Sequence, residues 1–250
     1  IYRVDRKDNL ASISFDAAWG NEDTQQIIDI LAKYDVKATF FVVGEWVDKY
    51  PESVLALHNA GHEIMNHSDT HPHMTQLSAD DMIKQVEDCS SKIEKITGVK
   101  PNLFRPPYGD YNDSVISTLK NAGYYTIQWD VDSLDWKELS AEQITKRVLD
   151  KTQPGSIVLF HNAALHTPEA LPMILESLKA KDIQLVKISE LIYYENYNID
   201  HTGQQYIVTS PESDDTQGTF SEENADSSDA ANLEESAVTR DIRRQVTLLE

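Results

Sequence analysis

Five short stretches of this chain combine side chains that move protons, hold metals or stiffen a backbone. The first, Ser14-Phe15-Asp16-Ala17-Ala18-Trp19-Gly20, ends an apolar run with an acid. A carboxylate there, facing a pocket, serves as a general base or a metal ligand, or it caps a helix. The second, His67-Ser68-Asp69-Thr70-His71-Pro72-His73, carries two imidazoles four residues apart. On one face of a helical turn both would reach a single metal ion. His73 breaks that spacing and reads as a solvent-facing loop residue, while His58 and His62 flank a helix end as capping or packing residues. In the third, Phe104-Arg105-Pro106-Pro107-Tyr108-Gly109, two prolines fix the backbone and hold the Arg and the Tyr amide in set directions. The fourth, Trp129-Asp130-Val131-Asp132-Ser133-Leu134-Asp135-Trp136, alternates acids with apolar residues, which suits orienting a His and lining a small pocket. The fifth ends the apolar run Ile157-Val158-Leu159-Phe160 with His161, a candidate acid at a strand end.

Such residues need a frame that brings distant stretches together. Residues 11–15, 38–43, 62–65, 124–129, 157–160 and 183–186 are short, apolar and bounded by polar or Gly-containing residues, as buried strands are. Between them, residues 24–34, 51–60, 79–96, 112–122, 141–151 and 168–179 repeat apolar side chains at helical spacing. Thr24, Ser78 and Ser140 are placed to cap helix starts, and Gly61 and Gly123 to stop helices. Strand–helix alternation predicts a parallel sheet of about seven strands curled into a distorted (β/α) barrel. In such folds reactive side chains gather where strands end, which is where all five stretches fall.

The stretches SFDAAWG, HSDTHP, RPPYG, DSLDW and LFH, in this order, resemble the polysaccharide deacetylase family (carbohydrate esterase family four, the NodB homology domain) over residues 10–195. FDAAWG is similar to a branch found in spore-forming bacteria. The resemblance implies a metal-dependent N-deacetylase on a NodB-type α/β barrel. Asp16 would be the base that activates water, oriented by Arg105. His67 and His71 would hold a divalent metal, usually zinc, with cobalt, nickel or manganese as alternatives. The backbone N–H of Tyr108 would help bind the oxyanion. Asp135 would tune His161, the acid that protonates the departing amine. Trp136 and Leu159 would wall the acetyl pocket, and Trp19, with Tyr108 and Trp136, would stack on sugar rings. Peptidoglycan or chitin-type chains are the implied substrates, and an extracytoplasmic monomer the implied setting. Family members carry a second Asp, a metal ligand, where this chain has Ala17. That predicts a weaker hold by two neutral imidazoles on a stronger Lewis acid. Asp16 would swing onto the metal, water would complete the shell, or the domain would keep only a glycan-binding groove. Hydrolysis of another amide C–N bond is the third function class.

Composition narrows the partners. Among 250 residues, 42 are acidic and 22 basic, for a formal charge of −20, and phosphate backbones need the opposite sign. The lone Cys89 excludes an internal disulfide, and no apolar run is long enough to span a membrane. The first residue is Ile1, so an export signal or anchor is expected to have been cut away upstream. Residues 211–239 hold nine Asp or Glu and no Lys or Arg, which predicts a disordered tail. Residues 240–250 read as a short amphipathic helix. The expected division is a deacetylase domain at 1–200 and an acidic, low-complexity tail at 201–250.

Overall fold

The structure is a computed structural model and describes residues 1–208; the expected acidic tail and terminal helix lie outside the described residues. Its centre is β2 (Leu10–Ala17), which follows the short β1 (Arg3–Val4). Side chains alternate across a strand. Ala11, Ile13, Phe15 and Ala17 of β2 enter one apolar layer, while Ser12, Ser14 and Asp16 face the other way.

The chain then alternates as expected. It runs through α1 (Thr24–Lys33), β3 (Thr39–Val42), α2 (Gly44–Lys49), α3 (Pro51–Asn59), β4 (Glu63–Asn66) and α4 (Ala79–Thr97). It continues with β5 (Leu103–Phe104), α5 (Asp113–Asn121), β6 (Tyr125–Thr126), β7 (Val131–Asp132), α6 (Ala141–Lys151), β8 (Ile157–His161) and α7 (Thr167–Ala180). Seven strands pair in parallel in the order β6-β5-β4-β3-β2-β8-β7. The sheet curls into a half-barrel, matching the expected NodB-type (β/α) barrel, with β6 and β7 left as its two edges. β9 (Gln184–Leu185) adds to the start of β2, before α8 (Ile188–Leu191).

One apolar layer packs the helices against the sheet through Phe15, Phe40, Val158 and Phe160. The second fills the opposite face with Phe41, Met65, Leu103, Ile127 and Ile157, closed by Ile188 and Leu191 of α8. Fully burying side chains of this size contributes about 1.5–3 kcal/mol each. The caps follow the sequence at Ser78, which accepts from Asp81 N, and at Ser140, which forms a capping box with Gln143. Gly61 and Gly123 end helices with φ of +86° and +88°.

Four expectations need correction. Thr24 is the first helical residue of α1 rather than its cap; Asp23 holds the cap position, its carboxylate turned to Ala163 N. Residues 124–129 form only the two-residue β6, because Gln128 spends its backbone elsewhere: its N–H donates to Ile1 O and its carbonyl accepts from Arg105. The stretch from His67 to His71 is not a helical turn, since Ser68 and His71 are left-handed at φ +69° and +59°. Ordered structure also continues past residue 200. β10 (Tyr197–Ile199) and β11 (Gln204–Ile207) form a small sheet with β1, anchored by the fully buried Gln205, which bonds both ways to the Tyr193 backbone.

Candidate active site

The five stretches converge at the carboxyl ends of the central strands. Asp16 is the last residue but one of β2 and His161 ends β8, and the two are direct partners in the parallel ladder. Each is held by its own buried companion. Asp16 Oδ1 accepts from Arg105 Nη1 at 2.7 Å, and its Oδ2 lies 3.5 Å from His67 Nε2. Arg105 follows β5 and is fully buried. Its Nη2 donates to Ser14 Oγ at 2.9 Å and to Gln128 O at 3.2 Å, while its guanidinium carbon lies 4.2 Å from the centre of the Phe41 ring. On the other side Asp135 Oδ1 accepts from His161 Nδ1 at 2.8 Å. Its Oδ2 accepts from the His161 backbone N–H at 2.8 Å and from Thr167 Oγ1 at 2.7 Å. With Nδ1–H donated to Asp135, the His161 ring presents Nε2 to the site.

His67 leaves β4 with Nδ1 at 2.7 Å from Arg105 O. A donated Nδ1–H there leaves the Nε2 lone pair facing Asp16, the usual arrangement of a metal-binding imidazole. The His71 ring centre lies 4.9 Å from that of His67 and 4.6 Å from Tyr108. Tyr108 is left-handed at φ +60°, and its ring, 62% exposed, stacks on His73 at 4.2 Å. His73 is exposed, as expected of a loop residue, with one face of its ring covered by Tyr108. Trp19 stands over the opening, 6.2 Å from the His71 ring and 6.1 Å from that of His161. Trp136, also exposed, lies under the Lys137 ammonium at 4.8 Å. Leu159 is buried one inward-facing position before His161.

The charges sort themselves. Burial opposes ionisation of Asp16, but the charge of Arg105 foremost, with the imidazoles of His67 and His161 whenever they are protonated, outweighs it and holds the carboxyl below its ordinary range. Burial depresses His67 and, joined by the neighbouring His67, takes His71 down to about 4. Both are neutral near pH 7, as ligands must be. Burial also opposes charge on His161, yet the bond to Asp135 and the acids around it raise its pKa above the usual 6.5. The pocket thus pairs an ionised carboxylate with a protonatable imidazole, the division of labour that general acid–base hydrolysis needs.

Residues 3–127 match the polysaccharide deacetylase family model. A peptidoglycan N-acetylglucosamine deacetylase from Bacillus cereus is 34% identical over 200 residues, covering 78% of this chain and 93% of that protein. The chain belongs to the polysaccharide deacetylase family. The peptidoglycan N-acetylmuramic acid deacetylase PdaC of Bacillus subtilis is 38% identical over 75% of this deacetylase-family chain. That alignment spans only 40% of PdaC's length. The solved structure of a family-four pseudoenzyme from Bacillus anthracis is 37% identical, with a TM-score of 0.73 over 76% of this chain and 68% of that one. A mutant of that pseudoenzyme with restored enzymatic activity has been solved as well.

Ala17 stands where the resemblance led to the expectation of a second Asp, and its surroundings matter. It is 1% exposed and packs in the layer between sheet and helices, on the opposite side of β2 from Asp16. Two neutral imidazoles with a carboxylate oxygen alongside suit a borderline divalent cation. Among the described residues, however, no three His, Cys, Asp or Glu side chains are grouped to enclose one. Other acids of the fourth stretch are structural: Asp130 accepts from Ser156 Oγ and Ile157 N, and Asp132 from Leu134 N. His62 is a packing residue, buried against Phe40 and accepting from Ala38 N. Sequence reasoning missed Asn162, which follows His161 and ties down the Trp19 loop. Its Oδ1 accepts from Ala18 N at 3.2 Å and its Nδ2 donates to Gly20 O. Adjacency to His161 was the available signal.

Proposed function

We propose that this domain removes N-acetyl groups from amino-sugar units of a peptidoglycan-type glycan, outside the cytoplasmic membrane, using a divalent cation held by His67 and His71. The observation that carries this reading is the ladder pairing of Asp16 with His161, each fixed by a separate buried partner. Bound there, the cation would supply Lewis-acid polarisation and a water of lowered pKa. Everything else falls to the chain's own groups. Asp16 Oδ2, the oxygen that Arg105 leaves free, takes a proton from the attacking water as its oxygen bonds to the acetyl carbon. Arg105 holds Asp16 ionised and aimed. The Tyr108 N–H, set by its left-handed backbone, donates to the developing oxyanion. His161 then delivers its proton to the nitrogen as the C–N bond breaks, because an amide anion cannot leave unassisted; acetate and a free amine result. Leu159 and Trp136 line the methyl pocket, and Trp19 and Tyr108 offer ring faces to sugars.

The relatives' activities on N-acetylglucosamine and N-acetylmuramic acid support the glycan class and leave both sugars as substrates to test. Among the described residues no helix is long and apolar enough to cross a membrane. A second reading, a domain that grips glycan without turning it over, is favoured by Ala17 and by the likeness to a pseudoenzyme. Acetate release from N-acetylglucosamine oligomers and peptidoglycan separates the two. Metal-stripped protein is assayed with zinc, cobalt or manganese added back. Release that depends on the metal and disappears in Asp16→Ala and His161→Ala supports hydrolysis. Oligosaccharide binding with no release under any metal refutes it.

A further inference from the structure

The loop carrying His67 and His71 has no regular structure of its own. Two internal bonds shape it, Ser68 N to Asn66 Oδ1 at 2.8 Å and His71 N to Ser68 Oγ at 3.0 Å. Beyond the bonds of His67 to Val42 O and Arg105 O, further ties come from neighbouring helices. The start of α2 donates Gly44 N–H and Glu45 N–H to the carbonyls of Ser68 and Asp69. From α4, Gln85 Oε1 accepts from two successive backbone N–H groups, Asp69 at 3.0 Å and Thr70 at 2.9 Å. The same side chain donates from Nε2 to Thr70 Oγ1 at 2.9 Å. Asp69 itself is turned away from the histidines, with Lys92 Nζ at 2.6 Å from its Oδ1. Gly44 makes room for it, since a Cβ there would lie 1.9 Å from that oxygen.

Gln85 therefore grips the backbone midway between the two imidazoles. This matters more here than in a site with a carboxylate ligand. With Ala17 in place of that acid, no charged ligand from position 17 helps draw the loop into place, so the spacing of the imidazoles has to exist before the cation arrives. A loop ordered only on binding would set its lost chain entropy against the metal's affinity. We propose that Gln85 is a positioning residue for metal capture, its three bonds to Asp69 and Thr70 presetting the His67–His71 spacing. This inference rests on the reading of those histidines as metal ligands.

The test is zinc or cobalt affinity by competition titration, together with amide hydrogen exchange of residues 67–72 in the metal-free protein. Gln85→Met keeps the bulk and removes the acceptor. It should weaken affinity about 10-fold or more, the usual scale for partners that orient ligands, and speed exchange at Asp69 and Thr70. Gln85→Glu keeps an acceptor for both N–H groups and should stay within about threefold of the native affinity, a rescue that a loss of packing would not show. Should Gln85→Met fail to fold, Thr70→Val decides. It removes the hydroxyl contact alone and should weaken binding by about threefold. Native-like affinity and exchange in Gln85→Met, or in Thr70→Val where it stands in, overturns the role of Gln85. A native protein that binds neither ion overturns the metal-site reading, and this inference with it.

Discussion

Replacing Arg105 with Met puts the central ion pair to a thermodynamic test. The substitution keeps much of the side-chain volume and removes a guanidinium that is fully buried. Asp16, 5% exposed, loses its 2.7 Å partner, and Ser14 Oγ and Gln128 O each lose a donor. Removing one member of a buried pair costs about 3–5 kcal/mol, because the other charge is left uncompensated. Ser14 still donates to Val158 O, so the neutral losses add about 1 kcal/mol at most. Urea unfolding at pH 7 should therefore show a loss of about 4 kcal/mol. The pH dependence carries the sharper signature. In the native protein the Asp16 carboxyl is held low, so its contribution is present above the unfolded value and is lost as pH falls through the folded one. Without Arg105 burial pushes that carboxyl up, and the penalty is relieved as acidification protonates it. The gap between the two proteins should thus narrow from pH 7 towards about pH 4, and Asp16→Asn should restore much of the loss. A cost below about 1 kcal/mol, or a gap unaffected by pH and by Asp16→Asn, would refute the claim that Arg105 neutralises Asp16.

Four further outcomes are expected. The raised pKa of His161 keeps the acid protonated beyond the ordinary 6.5. Turnover, followed as acetate release, should therefore hold past pH 6.5 and fall on the alkaline side as His161 deprotonates, and Asp135→Asn should move that fall to lower pH. The stability from the same pair is full below the unfolded value and is lost as pH rises through the raised folded one, which melting temperatures across pH 6–9 would record. Ala17→Asp places a carboxylate in an apolar layer at 1% exposure, so the metal-free protein should lose several kcal/mol. Zinc should restore the melting temperature if the new side chain turns into the site; a thermal midpoint equal to the native one without metal would contradict that placement. Ser140→Ala breaks the capping box of α6 and should cost about 1 kcal/mol in chemical denaturation, with activity unchanged.

What the sequence disclosed follows the range of the interactions involved. All six helical patterns form helices, because apolar spacing and caps such as Ser78 and Ser140 act within a few residues. The gathering of Asp16, His67, Arg105 and His161 was legible as residue types and order, since all four sit at strand ends of one curled sheet. The short strands β5 and β7 carry no periodicity to read, at two residues each. The loop from His67 to His71 has helical spacing but left-handed turns at Ser68 and His71, imposed by bonds from distant helices. Gln85 escaped notice for the same reason, its partners lying 15 or more residues away where local pattern carries no signal, and only adjacency to His161 marked Asn162.

Asp16 and His161 are borne on the strands themselves, locked opposite each other across one rung of the ladder. Trp19, Tyr108 and Trp136 stand outside that ladder and are exposed, each on a connection between strands and helices. Reactivity and grip are therefore separable under mutational drift. On the proposed function, insertions in the connections would alter which polymer is held without disturbing the ladder, and a single substitution at Asp16 or His161 would silence turnover while the outer face persists. A lineage of such domains can lose its chemistry and remain under selection for adhesion, with the dormant rung available for repair.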